Sequence, residues 1–238
     1  MFGKSALPNL LTLGNLFFGC LATRSAFRGA FTDAAAFVAL GLLLDFLDGL
    51  VARMLKVDGA LGKQLDSLAD LVTFGLVPGV FMYALIDRSL DGTHAYLPYL
   101  GFVITLSAAV RLAKFNVDMR QNDYFFGLPT PANALYIISL MMILIFQNTP
   151  TVDNLLSNTY FLLFNVLVSS VFMLLDVKLF SLKVKSISWK RNELRYAFLL
   201  ISALLILGLK FLAIPLIVTL YIVLSAVTSI TRFSNWLD

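Results

Sequence analysis

"LLLDFLDGLVARMLKVDGALGKQLDSLAD", residues 42–70, sets four aspartates between two apolar runs. Asp45 and Asp48 close the first run, and Asp66 and Asp70 open the second. Carboxylates at the edge of a membrane interior are costly and mark function by default. The surrounding chain makes that setting plain. Its 238 residues are 59% hydrophobic and only 13% charged, with a mean hydropathy of +0.87. A soluble domain sits nearer about 45–50% apolar and about 25% charged. The apolar runs are long and continuous, which excludes the alternating pattern of a membrane β-barrel. The expectation is an all-α, polytopic transmembrane helical bundle.

Eight apolar segments approach the roughly 20 residues that a crossing requires. They lie near 8–24, 33–53, 66–87, 96–115, 131–147, 158–175, 196–210 and 212–230. The last two are separated by a tight break near Lys210 and Pro215, which also fits a re-entrant hairpin. The N-terminal run has no small-residue cleavage pattern and reads as a retained first helix. Residues 1–238 read as one integral membrane domain, with a core over 1–175 and a C-terminal helix pair over 196–230. Cys20 is the single cysteine, so no disulfide framework is expected within the chain.

Lysine and arginine set the orientation. With the N-terminus in the cytoplasm, inner segments carry 14 of these residues and outer segments 4, so both termini are expected inside. The net charge of +4 therefore reflects topology and gives no reason to expect a nucleic-acid partner. The basic run from Lys178 to Arg195 reads as a topology determinant that also suits anionic lipid. The acidic stretch falls at the cytoplasmic ends of the second and third helices.

With Asp45 at zero on a helical wheel, Asp48 lies at about −60°, Gly49 at about +40°, Ala52 at about −20° and Arg53 at about +80°. One face thus carries two carboxylates, two very small residues and a guanidinium. Gly62, Asp66 and Asp70 follow at i, i+4 and i+8, and share a face if their helix starts early enough. Four clustered carboxylates need compensation, and two divalent cations would supply it. An all-oxygen set suits Mg²⁺, Mn²⁺ or Ca²⁺ rather than zinc. The one histidine, His94, falls in an outer loop. Paired hard cations beside an arginine point to phosphoryl transfer, with Arg53 able to grip a phosphate. A proton relay or a cation transporter also uses membrane aspartates, although a transporter tends to place its site near the midplane.

Asp45, Asp48, Gly49, Ala52, Arg53, Gly62, Asp66 and Asp70 together spell D-x2-D-G-x2-A-R-x8-G-x3-D-x3-D. This resembles, without departure, the signature of the CDP-alcohol phosphotransferase family. The resemblance implies a six-helix core, a homodimer, and displacement of CMP from a CDP-linked lipid or alcohol by an incoming hydroxyl. It implies a two-metal site of Mg²⁺ or Mn²⁺ on Asp45, Asp48, Asp66 and Asp70, with Asp70 also the general base. Gly49, Ala52, Arg53 and Gly62 would line the CDP pocket. Asn15, in the "TLGN" run, is a further candidate there.

"PNLLTLGNLFFG", "QLDSLADLVTFGLVP", "RLAKFNVD" and "FFGLPTPANA" resemble the phosphatidylserine synthase branch over residues 8 to 134, and "FSLK" at 180–183 adds a weaker match. "RLAKFN" places Lys114 where the branch more often has arginine, which gives up a bidentate grip. The implied substrates are CDP-diacylglycerol and L-serine, and the implied setting is a prokaryotic cytoplasmic membrane with the site facing inward. Arg111, Lys114 and Asn116 are candidates for binding serine; snorkelling to lipid phosphates is the ordinary alternative for the two cations. Residues 121–131 are a candidate cover, with Gly127 permitting a bend and Pro129 and Thr130 at its end. A relative using glycerol-3-phosphate or inositol phosphate would call for more arginines. A catalytically silent scaffold would not need the intact acidic set.

Overall fold

The computed structural model describes residues 5–57, 59–90, 94–117, 125–175, 178–179 and 193–234. It is a helical bundle. α1 (Ala6–Phe27) and α2 (Phe31–Leu55) form an antiparallel pair joined through Gly29, whose φ is 75°. α2 stops at Lys56, which adopts the left-handed conformation with φ 52°. The Lys56 and Val57 N–H groups donate back to the carbonyls of Arg53 and Ala52, a helix-ending arrangement.

The chain then re-enters the bundle as α3 (Ala60–Asp70), a π-helical turn (Leu71–Leu76) and α4 (Val77–Arg88). The three pieces make one helical run, Ala60–Arg88, of 29 residues. The π turn has a cause in the sequence. Pro78 has no N–H for the Phe74 carbonyl, and its ring would press on that carbonyl in a regular α-helix. Widening the preceding turn relieves both problems. This run forms the centre of the bundle, burying Phe74, Val77, Phe81, Met82, Leu85 and Ile86. It packs against α1, α2, α5 (Val103–Val117), α6 (Thr130–Phe146) and α8 (Thr159–Leu174).

A 3₁₀ stretch, Leu97–Phe102, leads into α5. A short helix not expected from the sequence, α7 (Pro150–Leu156), precedes α8 and meets it at 67°. Thr149 caps the first and Asn158 the second, each accepting a backbone N–H. β1 (Phe125–Phe126) and β2 (Lys178–Leu179) form a two-residue antiparallel pair.

The C-terminal pair is α9 (Glu193–Leu209) and α10 (Ala213–Ser234), joined by a 3₁₀ turn at Lys210–Leu212. Lys210 has φ 52°, at the break expected from the sequence. Pro215 instead sits in the first turn of α10, where its missing N–H costs little. The stretch Tyr196–Ser225 is apolar over 30 residues, long enough for one straight crossing. It nevertheless doubles back. The Phe198 and Tyr221 rings lie 6.0 Å apart, whereas 23 residues of straight helix would separate them by about 35 Å. Gln147 fixes the turn, donating to the Leu209 carbonyl at 3.0 Å and accepting from the Leu212 N–H at 3.2 Å.

Each of the eight expected apolar segments is thus helical, with the last two separated by the expected break at Lys210. Among the described residues, five helical runs are long and apolar enough to cross, or six if α7 and α8 count as one. α6, at 17 residues, is shorter. The all-helical bundle itself is as expected.

Candidate active site

The acidic residues converge from two helices, braced by a third, at one end of the bundle. Asp45 and Asp48 stand on the last turns of α2. Because α3 begins at Ala60, Gly62, Asp66 and Asp70 do share one face. Carboxylate oxygens of Asp45, Asp48 and Asp66 lie within 4.8 Å of one another. Asp70 is one turn deeper, buried, and its carboxyl lies within hydrogen-bond reach of Asp45.

Two residues of α1 hold this set from behind. Thr12 donates to Asp48 Oδ2 at 2.5 Å, and Asn15 Nδ2 donates to Asp70 Oδ1 at 3.2 Å. Such bonds to charged acceptors are stronger than neutral ones. Asn15 is fixed in turn, since Thr73 in the π turn donates to its carbonyl at 3.1 Å. The helices come this close because of glycine. A Cβ at Gly19 would collide with Thr73 Oγ1, and one at Gly41 would lie 2.9 Å from Asn15 Oδ1. Thr12 is not among the residues expected from the sequence. Its signal is the three-residue spacing of Asn9, Thr12 and Asn15 in an otherwise apolar helix.

The other expected pocket residues are placed unequally. Gly49 opens onto free space, with nothing within 4 Å of the point where a methyl group would sit, and Ala52 is one turn further along α2. Gly62 lies close to α1, its Cβ position 3.2 Å from Asn9 Oδ1. Arg53 is exposed, and its Nε donates to the Gly49 carbonyl at 2.9 Å. Among the described residues no ion pair joins a lysine or arginine to the four aspartates; the one such pair is Arg88–Asp153. The cluster therefore presents several carboxylate oxygens without a protein counter-charge bonded to them. That is a donor set suited to hard divalent cations, and the residues fit a metal site.

The opposite wall comes from α5 and α6. Arg111 is buried, with Nη1 3.5 Å from Thr130 Oγ1. Its guanidinium lies in electrostatic range of Asp70 and of Tyr221 on α10. Lys114 is exposed. Asn116 ties α5 to α3: its Nδ2 donates to Ser67 Oγ at 2.9 Å, and its carbonyl accepts from Lys63 at 2.9 Å. Gly127 has φ 69° and is pressed against the Met173 carbonyl, while the Leu128 N–H donates to the Phe172 carbonyl at 2.9 Å. Gly127 to Thr130 thus form a packed, anchored end to the candidate cover, whose residues 121–124 lie outside those described. So do residues 180–192 of the basic run.

A family model, CDP-alcohol phosphatidyltransferase, matches residues 5–179, which takes in every aspartate of the cluster and both walls. The chain belongs to the CDP-alcohol phosphatidyltransferase family. Membership covers α1 to β2 and stops short of the α9–α10 hairpin. Among curated relatives, the chain is 33% identical over 138 residues to the CDP-diacylglycerol–serine O-phosphatidyltransferase of Bacillus subtilis, covering 56% of this chain and 74% of that one. It is 34% identical over 138 residues to the protein of that name from Helicobacter pylori, covering 57% of each chain. It is also 34% identical over 139 residues to the archaetidylserine synthase of Methanothermobacter thermautotrophicus, covering 58% of each. The aligned stretch thus spans little more than half the length of the last two relatives.

Proposed function

We propose that the protein transfers the phosphatidyl group of CDP-diacylglycerol to the hydroxyl of L-serine, forming phosphatidylserine and releasing CMP. The observation that carries this reading is the four-aspartate cluster on the eight-position signature, in a chain whose relatives include proteins named for serine. Asp45, Asp48, Asp66 and Asp70 would hold two divalent ions, Mg²⁺ or Mn²⁺. Bound there, such ions neutralise diphosphate charge and stabilise the departing phosphate.

The chain's own residues do the rest. The open face at Gly49 and Ala52 admits the cytidine diphosphate, with Arg53 at its rim and Asn15 beneath it. Asp70 accepts the serine hydroxyl proton, and Asn15 keeps that carboxyl in place. The serine oxygen forms a bond to the lipid-side phosphorus, and the bond from that phosphorus to CMP breaks. Arg111, facing Asp70 across the site, offers the cation that serine's carboxylate needs. Lys114, being exposed, suits the lipid headgroups. Asn116 suits a positioning role because its amide already spans α3 and α5. Gly127, Pro129 and Thr130 anchor a cover that keeps water from replacing serine.

The acceptor is argued from charge. Among the described residues, Arg111 is the one buried arginine. That suits a carboxylate better than a phosphorylated acceptor, for which several cations are expected. We place the site at the cytoplasmic face of a prokaryotic membrane, in a homodimer, on the lysine and arginine bias and on the family resemblance.

The test is CMP release by purified protein in mixed micelles of CDP-diacylglycerol with Mg²⁺ or Mn²⁺. L-serine, glycerol-3-phosphate, inositol phosphate and no acceptor are compared. Release that depends on serine and disappears with chelator is expected. Release only with a phosphorylated acceptor would overturn the serine assignment.

A further inference from the structure

We infer that Asn133, together with Arg111 and Thr130, forms the subsite that grips the α-carboxylate and α-ammonium of the amino-acid acceptor. The inference deepens the serine-transfer reading and rests on it.

Asn133 stands on the first turn of α6 and is fully buried, at 0% exposure. Neither its Oδ1 nor its Nδ2 has a hydrogen-bond partner among the described residues. Leaving a buried polar atom unpaired is costly, so an amide with both atoms unpaired is out of place in a purely structural position. A leucine or alanine would fill such a position at lower cost.

Its neighbours share the anomaly. Arg111 is 8% exposed, and its Nε has no partner either. Its one hydrogen bond among the described residues, to Thr130 Oγ1, is long at 3.5 Å. Thr130 is 1% exposed. Thr130 and Asn133 are three residues apart, so on α6 they differ by about 60° around the axis and about 4.5 Å along it. The unpaired amide therefore lies one turn inside the hydroxyl that the guanidinium approaches, on the same face of the helix. Below them the wall turns apolar, with Ala134 and Ile137 buried.

An amino acid satisfies this set. Arg111 donates to its carboxylate, and Asn133 Nδ2 donates to the same group. The ammonium donates to Asn133 Oδ1 and Thr130 Oγ1. An acceptor without the carboxylate leaves the guanidinium unpaired. One without the ammonium leaves Asn133 Oδ1 unpaired. Sites built to hydrogen-bond a group reject analogues that lack it.

The experiment measures CMP release and thermal unfolding of wild type, Asn133→Ala and Asn133→Asp in detergent with CDP-diacylglycerol. Acceptors are L-serine, serinol, which lacks the carboxylate, and 3-hydroxypropionate, which lacks the ammonium. The expected result is a KM for L-serine raised on the order of 10-fold in Asn133→Ala, with the KM for CDP-diacylglycerol within about twofold. The wild-type preference for L-serine over both analogues should shrink. Asn133→Asp keeps the shape and pairs with Arg111, so it should raise the serine KM further even if the alanine variant folds poorly. An unchanged serine KM in both variants, shown to be folded by their thermal unfolding, would show a structural amide and overturn the inference. A raised KM for CDP-diacylglycerol alone would assign the subsite to the lipid phosphate and overturn it as well. Wild-type release that ignores serine would instead overturn the serine-transfer reading itself.

Discussion

Two walls face each other across the site, and they are built in opposite ways. On the α1–α2–α3 side, Asp48 accepts from Thr12 at 2.5 Å and Asp70 from Asn15 at 3.2 Å, with Thr73 securing Asn15. On the α5–α6 side, Arg111 Nε and both amide atoms of Asn133 meet no partner among the described residues, whereas Asn15, whose Oδ1 has none either, still donates through Nδ2 to Asp70. The first wall carries negative charge that must be aimed before any ligand arrives. The second keeps its polarity unspent, so that a ligand can complete it. Preorganisation on one side and unpaired groups on the other divide the task between the activating centre and acceptor selection.

The comparison can be broken most sharply at the carboxylates. Asp45→Asn, or chelation of divalent ions, should lower CMP release on the order of 10³-fold. Asp33→Asn, on the first turn of α2 and outside the cluster, should leave it near wild type. Equal losses in both variants would mean that the cluster is not special. Asp70→Asn should cost about 10²–10⁴-fold in kcat with little change in serine KM, the expected range for losing a general base.

A smaller effect separates the supports from the groups they hold. Thr12→Val should lower kcat/KM about 10-fold, the scale of one hydrogen bond to a charged acceptor. Thr12→Ser should restore most of it. If Thr12→Val raised the serine KM alone, the two walls would not be separate. The smallest effect is expected far from both. Gln147→Leu removes the two bonds that fix the Lys210–Leu212 turn, so it should cost about 1–2 kcal/mol in thermal unfolding. The serine KM should stay the same.

Asp45, Asp48, Asp66 and Asp70 are readable from spacing because each pair lies on a single helix, and helix period alone places them. The break at Lys210 is readable for a similar local reason. α7 escapes such a reading because seven residues give too short a pattern. The eight apolar segments are readable as helices because apolar length is a local property of the chain. Thr12 and Asn133 stay hidden because their significance lies in what other helices bring to them.

The sequence by itself determined a helical membrane bundle, the acidic signature and the family. These follow from composition and from local periodicity, which covalent neighbours enforce. Only the tertiary structure decided that α1 would clamp the aspartates, that Arg53 would stay exposed while Arg111 was buried, and that Asn133 would be buried without a partner among the described residues. Those outcomes depend on close helix contacts at Gly19 and Gly41 and on the Pro78 π turn, whose effects propagate through packing between segments far apart in the chain.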